Sequence, residues 1–440
     1  MNGITFQREQ GGLGRRAEGE DHVSALLFYG AEATHLPELL DVYSLEDAER
    51  SKVSMAKTPI IYYHIAEFFR VAEAGSRLFV RAKADDKYDG SFAEVKQMQQ
   101  HAAGAIRQVG VWVGHRNITA DVANLNKACE ELAAMNMPLS AVVAYRLTSE
   151  ELKALPNLGA NVHPRVSVCI AQDGGGLGAF LFKKDDVNKP AITAIGACMG
   201  AIARAKVHES IAWVEKQNMV STTYGGKMTA DLLKELEVSM AAVDVKTITK
   251  SYTKSNKDDE KRPIQKKIDE LKTLAKELDV ATLVDGTLMT DLLPTDLDVM
   301  SGKRYLFLRK HVGQAGSYWN DSFTADKPES DYGYIESNRT IDKAVRGIYK
   351  ALLPHLSGPV RVDASTGKIS VGTITFLETL AEDTLVRMER DGELSGFKVI
   401  IDPNQSVLGT SKLAIVVKLI PVGVLREIKV SIGFTVKIEE

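Results

Sequence analysis

Cysteine is scarce in this sequence. Three thiols occur in 440 residues (Cys129, Cys169 and Cys198), each in apolar context and no two spaced like a ligand pair. That excludes a disulfide framework and a thiolate metal centre, and it fits buried thiols in a reducing compartment. No run of about 18 uncharged apolar residues occurs, so no membrane-spanning helix is expected. The opening "MNGITFQREQGGLGRRAEGE" has no apolar stretch, so no secretory signal is expected either. An excess of charge of one sign is also missing. The net charge of −3 excludes a polyanion binder by composition.

Catalytic and ligand motifs are missing in a more specific way, because each near-match fails at a named residue. "DGGGLG" (173–178) follows a strand candidate as a phosphate loop would, but the next residues, "AFLFKKDD", put no helix N-terminus there. "STGKI" (365–369) has Val362 where a P-loop needs its first glycine, and Ile369 where the Mg²⁺ hydroxyl belongs. "DDKYDG" (85–90) would be a calcium loop with Lys87 and Lys96 at acid positions. "HES" (208–210) has Ala212 where a zinc-protease helix needs its second histidine. His311, Ser317, Asp321 and Ser322 are neighbours in sequence, which does not make the geometry of a triad. No catalytic residue, cofactor or metal is expected, and weight moves to a structural or assembly role.

What is present is size and alternation. A chain of 440 residues, 44% hydrophobic and 26% charged, is expected to fold as two or three globular domains. Between residues 22 and 172, strand candidates at 23–29, 77–83, 108–114, 140–147 and 165–172 alternate with helix-period segments. That pattern predicts an α/β layer around a largely buried sheet. Residues 190–214 carry Gly196, Gly200, Ala201, Ala203 and Ala205, a face small enough for close helix packing. Residues 250–270 read as a mixed-charge connector, with Pro263 opening an amphipathic helix. From about 303 the character changes to a strand candidate "RYLFLRK", a long polar loop, helices from Thr340 and Gly372, and strands at 396–402 and 411–420.

The last segment alternates strictly. Ile428, Val430, Ile432, Phe434, Val436 and Ile438 share one side, and Lys429, Ser431, Gly433, Thr435 and Lys437 the other. Burying one such apolar side chain gains roughly 1.5–3 kcal/mol, and leaving the strand open invites aggregation. It is therefore expected to be paired. One partner is the 411–420 strand of its own chain. The other is a neighbouring subunit, by strand addition. At the opposite end, Ile4 and Phe6 lie on an arm hinged at Gly11, Gly12 and Gly14.

The order "RYLFLRKHVGQAGSYWNDSFTA", "DYGYIESNRTIDKAVRGIYKALLPHL", "GPVRVDASTGKIS", a helix, "GELSGFKVIIDP" and two strands resembles the inner domain of contractile tail sheath proteins. That family includes sheaths of contractile phage tails, tailocins and type VI secretion-like injection systems. The resemblance covers roughly 303–440 and the N-terminal arm, with "NRTIDKA" (338–344) among its marks. It implies an α/β multidomain protein: an arm at 1–20, a larger α/β outer domain at 21–302, an α+β inner sheath domain at 303–424 and an arm strand at 425–440. It implies stacked hexameric rings of self around an inner tail tube, with baseplate and terminator proteins as further partners. Neither nucleic acid nor membrane insertion is implied.

The same resemblance implies assembly in the cytoplasm of the producing bacterium and a final place in a virion tail or injection particle. It implies strand exchange through Ile4, Phe6 and the 428–438 series, with hinges at Gly11–Gly14 and around Pro403–Gly409. The helix from Gly372 to about Arg390 presents Glu378, Glu382, Asp383 and Glu389 as the tube-facing candidates; the plainer alternative is a solvated acidic face. Two other functions stay open: an α/β nucleotide-binding protein or enzyme using 173–178, and another tail component such as tube, terminator or baseplate.

Overall fold

The strand candidates of the first half form one sheet in the computed structural model. The structure describes residues 20–31, 36–54, 57–83, 90–113, 117–145, 150–171, 193–219, 234, 237–238, 240–242, 254–274 and 289–435. The chain divides into two compact units. One holds the described residues up to Val207 together with Ile211–Arg346; the other holds His208–Ser210 and the residues from Gly347 onward.

In the first unit the strands are β1 (Ser24–Tyr29), β2 (Leu40–Val42), β3 (Leu78–Lys83), β4 (Gln108–Trp112), β5 (Ser140–Ala144), β6 (Val162–His163) and β7 (Val166–Cys169). Six of them join in the order β2-β3-β1-β4-β5-β7. All neighbours are parallel except β2, which runs against β3. A parallel sheet covered on both faces needs apolar residues at successive positions. β1 and β4 are buried throughout.

The helices α1 (Leu45–Arg50), α2 (Pro59–Val71), α3 (Ala93–His101), α4 (Ile118–Ala134) and α5 (Ile195–Arg204) supply the cover. Leu26, Phe28, Val80 and Trp112 share a core with α2 and α5. Ala25, Leu27, Phe79 and Val111 share another with α3 and α4. The alternation along β1 thus assigns each residue to a layer. The small face of α5 does pack closely. A Cβ on Gly196 would lie 2.3 Å from the His64 carbonyl oxygen, and one on Gly200 would lie 2.7 Å from that of Phe68.

Two expectations are revised. The segment "RYLFLRK" packs into the first unit, not with the C-terminal residues. Leu306 bridges Cys169 in parallel, with Ile170 N donating to Leu306 O at 2.8 Å and Leu306 N to Val168 O at 2.9 Å. Tyr305, Leu306 and Phe307 are buried there, so the compact division falls at Arg346/Gly347 and not at 302/303. Pro263 does not open its helix. It lies inside α6 (Lys254–Leu274), whose charged residues continue the helix on both sides. The unit is completed by α7 (Pro294–Gly302), by β8 (Leu308–Arg309) paired with β9 (Tyr318–Trp319), and by β10 (Ala325–Asp326) paired with β6.

The motif "NRTIDKA" lies on α8 (Ile335–Leu352), which starts five residues before the expected Thr340. Its polar side chains bind distant backbone. Asn338 donates to the Tyr332 and Tyr334 carbonyls at 2.8 and 3.0 Å. Arg339 donates to the carbonyls of Ala205, Lys206 and Asp21. Asp342 takes both ends of the Arg165 guanidinium, at 2.9 and 3.1 Å. One turn on, Lys343 and Arg346 meet the Asp21 carboxylate at 2.8 and 3.1 Å. Lys343 is the largest charge offsetting the burial of Asp21, whose pKa is held below the usual carboxylate value.

The second unit consists of the last turns of α8, α9 (Val371–Arg390), β11 (Leu394–Ile401), the short α10 (Val407–Thr410) and β12 (Ile415–Pro421). Ser370 caps α9, its hydroxyl accepting from Thr373 N. The helix stops at Gly392, whose φ of 74° suits glycine, with Glu393 N closing back on Met388 O at 2.8 Å. Gly347 lets α8 meet α9, because a Cβ there would lie 2.0 Å from Thr384 Cγ2. One core cluster is Ile369, Ile374, Leu377 and Ile401, with Leu352, Leu380, Val407, Leu413 and Ile415 at its border, and Ala381, Leu385, Met388, Leu394 and Val399 are buried as well.

Candidate assembly surface

Among the described residues the second unit's sheet has two strands. β11 and β12 pair antiparallel from Leu394↔Pro421 to Ile401↔Ile415. Phe397, Val399 and Ile401 share one face with Ile415, Val417 and Leu419, and this face packs on α9. The other face carries Gly396, Lys398 and Ile400 opposite Ile420, Lys418 and Val416. Val416 and Ile420 are 51% and 60% exposed. The two lysines stand directly across the ladder from each other, both exposed. Like charges at opposed positions destabilise a strand pair.

The connection between these strands includes the short helix α10 and is tied across its base. Gln405 Nε2 donates to Ala414 O at 2.9 Å, and Ala414 N donates to Gln405 Oε1 at 2.7 Å. The expected hinge at Gly11–Gly14 lies outside the described residues, as do Ile4 and Phe6.

After β12 the chain enters no strand through residue 435. Ile428, Val430, Ile432 and Phe434 are 73%, 77%, 96% and 111% exposed. Among the described residues the tail therefore makes no ladder with 411–420, and the plain hairpin reading of it is not what the chain adopts. Val436 and Ile438 lie outside the described residues.

On α9 the acidic candidates separate. Glu378 Oε1 accepts from Ile401 N at 3.0 Å, so it is committed to its own unit. Glu382 is half-buried, Asp383 pairs with Arg387, and Glu389 is exposed. Two further features, the Lys398–Lys418 pair and the outer face around it, are visible only once the register is known.

The residues that tempt toward catalysis do not converge. Ser322 Oγ donates to Glu336 Oε2 at 2.6 Å, while the His311 ring lies tilted against the Tyr318 ring, centroids 5.4 Å apart. In "STGKI", Asp363 accepts from Ser365 N and Thr366 N, both at 2.9 Å, and its pKa is lowered to about 2, first by the Ser365 hydroxyl. That is a self-capped turn. Residues 173–178 and 85–89 lie outside the described residues. Among the described residues no group of three or more His, Cys, Asp or Glu is placed to hold a metal ion. No described helix is long and apolar enough to cross a membrane.

Two family models match the chain. DUF2586, N-terminal domain, matches residues 1–248, and DUF2586, C-terminal domain, matches 331–439. The chain belongs to the DUF2586 family. No curated protein matches it. Among solved structures it is similar to a chain of the anti-feeding prophage helical sheath in the contracted state, with 12% identity, 98% of each chain covered and a TM-score of 0.56. It is also similar to a chain of that prophage's baseplate, with 13% identity, 99% of each chain covered and a TM-score of 0.54. A chain of the contracted baseplate gives 11% identity, 99% of each chain and a TM-score of 0.51. This DUF2586 chain therefore has a mixed α/β, contractile-sheath-like fold over nearly its whole length.

Proposed function

We propose that this chain is a structural subunit of a contractile sheath. It polymerises as stacked hexameric rings around an inner tail tube and contracts to drive that tube through a target envelope. The observation that carries this reading is the exposed alternating tail beside an unfinished two-stranded sheet. A two-stranded sheet is marginal alone and gains stability from a third strand. Leu425, Ile428, Val430, Ile432 and Phe434 lie in solvent. Buried against a neighbour, five such side chains contribute about 7–15 kcal/mol gross, before the tail's ordering cost is subtracted. The N-terminal arm, with Ile4 and Phe6, makes the second link of the exchange.

In this reading residues 1–20 and 425–440 are the arms, the compact unit that ends at Arg346 is the outer part, and residues 347–424 are the inner part nearest the tube. Exposed Asp383 and Glu389, with Glu382, remain the tube-facing candidates; Glu378 acts inside its own unit. The subunit carries no active site of its own. It assembles in the cytoplasm of the producing cell and ends in a tail or injection particle. The likeness to baseplate chains favours one second reading, a baseplate component of the same kind of machine.

The test is deletion of residues 425–440. The truncated subunit should fold and melt like the full chain but form no tubes in negative-stain images. Tubes of normal length and yield from the truncation refute strand exchange. Isolated rings from the full chain assign it to the baseplate.

A further inference from the structure

We infer that the outer face of the β11–β12 hairpin is itself an interface, and that it takes carboxylates of a second copy of this chain between Lys398 and Lys418. This rests on the sheath reading and extends it from the strand edge to the sheet face. Four observations lead here. Lys398 and Lys418 are directly opposed in the ladder, so each faces a like charge at the closest cross-strand position. Among the described residues neither ammonium has a carboxylate partner within 4.0 Å, although carboxylates supply such partners elsewhere in the same unit, as Asp383 does for Arg387.

The pair is flanked by exposed Val416 and Ile420, which gives an apolar frame around a cationic centre. Finally, β12 runs directly into the exposed tail, so this face adjoins the segment proposed to exchange between copies. Charged pairs set partner choice and register at interfaces while costing stability in the free subunit.

The occupant is a second copy because the segment proposed to complete the sheet is the alternating tail, whose described residues 428–435 pair with no described strand of their own chain. A carboxylate placed between two ammoniums relieves their repulsion and is shielded by the apolar frame. The contact therefore weakens with added salt.

The experiment uses the full chain with Lys398→Glu, Lys418→Glu and Lys418→Met. Each Glu variant puts opposite charges across the ladder, so the free subunit should melt about 1 °C higher. Self-association, read by sedimentation and negative stain, should weaken at least about tenfold, the arithmetic of one lost charge-assisted contact. Wild-type association should fall between about 0.05 and 0.5 M salt. If the wild type makes tubes and the Glu variants make them equally well, this inference is wrong and the sheath reading stands. If the wild type associates into something other than tubes and the Glu variants do not associate, the sheath reading fails and this interface stands. A wild type that stays monomeric overturns it. Should a Glu variant melt lower than wild type, the folded Lys418→Met variant decides: weakened association supports the interface, and unchanged association overturns it.

Discussion

His64 should make the first unit acid-labile. It sits in the middle of α2, fully buried, between the Phe28 ring at 5.6 Å and the Tyr63 ring at 5.3 Å. Neither ring nitrogen has a hydrogen-bond partner. Burial in this aromatic and aliphatic core lowers its pKa from 6.5 to about 3, and no neighbouring charge opposes that. The unfolded chain binds the proton near pH 6.5, while the folded chain refuses it until about pH 3. Stability is therefore present in full above pH 6.5 and lost as pH falls through that window. Each pH unit inside the window removes about 1.4 kcal/mol, so the loss is about 2 kcal/mol at pH 5 and about 3.4 kcal/mol at pH 4.

The comparison is with His64→Leu, which removes two orphaned polar atoms and should cost little at pH 7.5. Urea unfolding followed by tryptophan fluorescence is the assay, because Trp112 packs 6.5 Å from Phe28 in the same core. Carboxylates and other histidines titrate in both proteins and cancel in the difference. The wild type should lose about 2 kcal/mol more than the variant between pH 7.5 and 5. Parallel pH–stability curves for the two proteins would falsify the assignment of a neutral, unpartnered His64.

Gly196→Ala should destabilise the first unit by about 1–3 kcal/mol, since its methyl group would meet the His64 carbonyl at 2.3 Å and force α5 from α2; a lowered melting temperature is the readout. Asp342→Asn should cost about 3 kcal/mol in urea unfolding, because it leaves the Arg165 guanidinium without its bidentate carboxylate in a largely buried site. Arg165→Met combined with Asp342→Leu should recover most of that loss, which a simple packing defect would not allow.

The layered core was legible because a strand buried on both faces must be apolar at consecutive positions. "SALLFY", "QVGVW" and "SAVVA" state that locally. β2 was not legible, because three residues with an aspartate in the middle have no period to read. The place of 303–346 was not legible for a different reason. "RYLFLRK" is readable as a strand, but its partner, Cys169, is about 140 residues earlier, and nothing local names that pairing. The same holds for "NRTIDKA". Its residue types mark it out, yet their function is to hold segments near Asp21, Arg165 and Ala205, which only the fold brings close. At the candidate surface the alternation of the tail is plain in sequence. The opposition of Lys398 and Lys418 needs the register.

These two kinds of polar residue suggest a division of labour within the chain. In the first unit, buried charges are satisfied inside the same chain: Asp342 by Arg165, Asp21 by Lys343 and Arg346, Glu67 by Arg70. In the second unit the sheet has two strands among the described residues, like charges face each other, and five large apolar residues follow in solvent. Each of these features costs stability in an isolated subunit and is relieved by adding a strand and an anionic surface. Selection for a stable monomer alone would remove them, and a lysine-to-glutamate change at either position of the ladder is a short route. Their joint presence at the C-terminal end is what the proposed strand exchange would relieve.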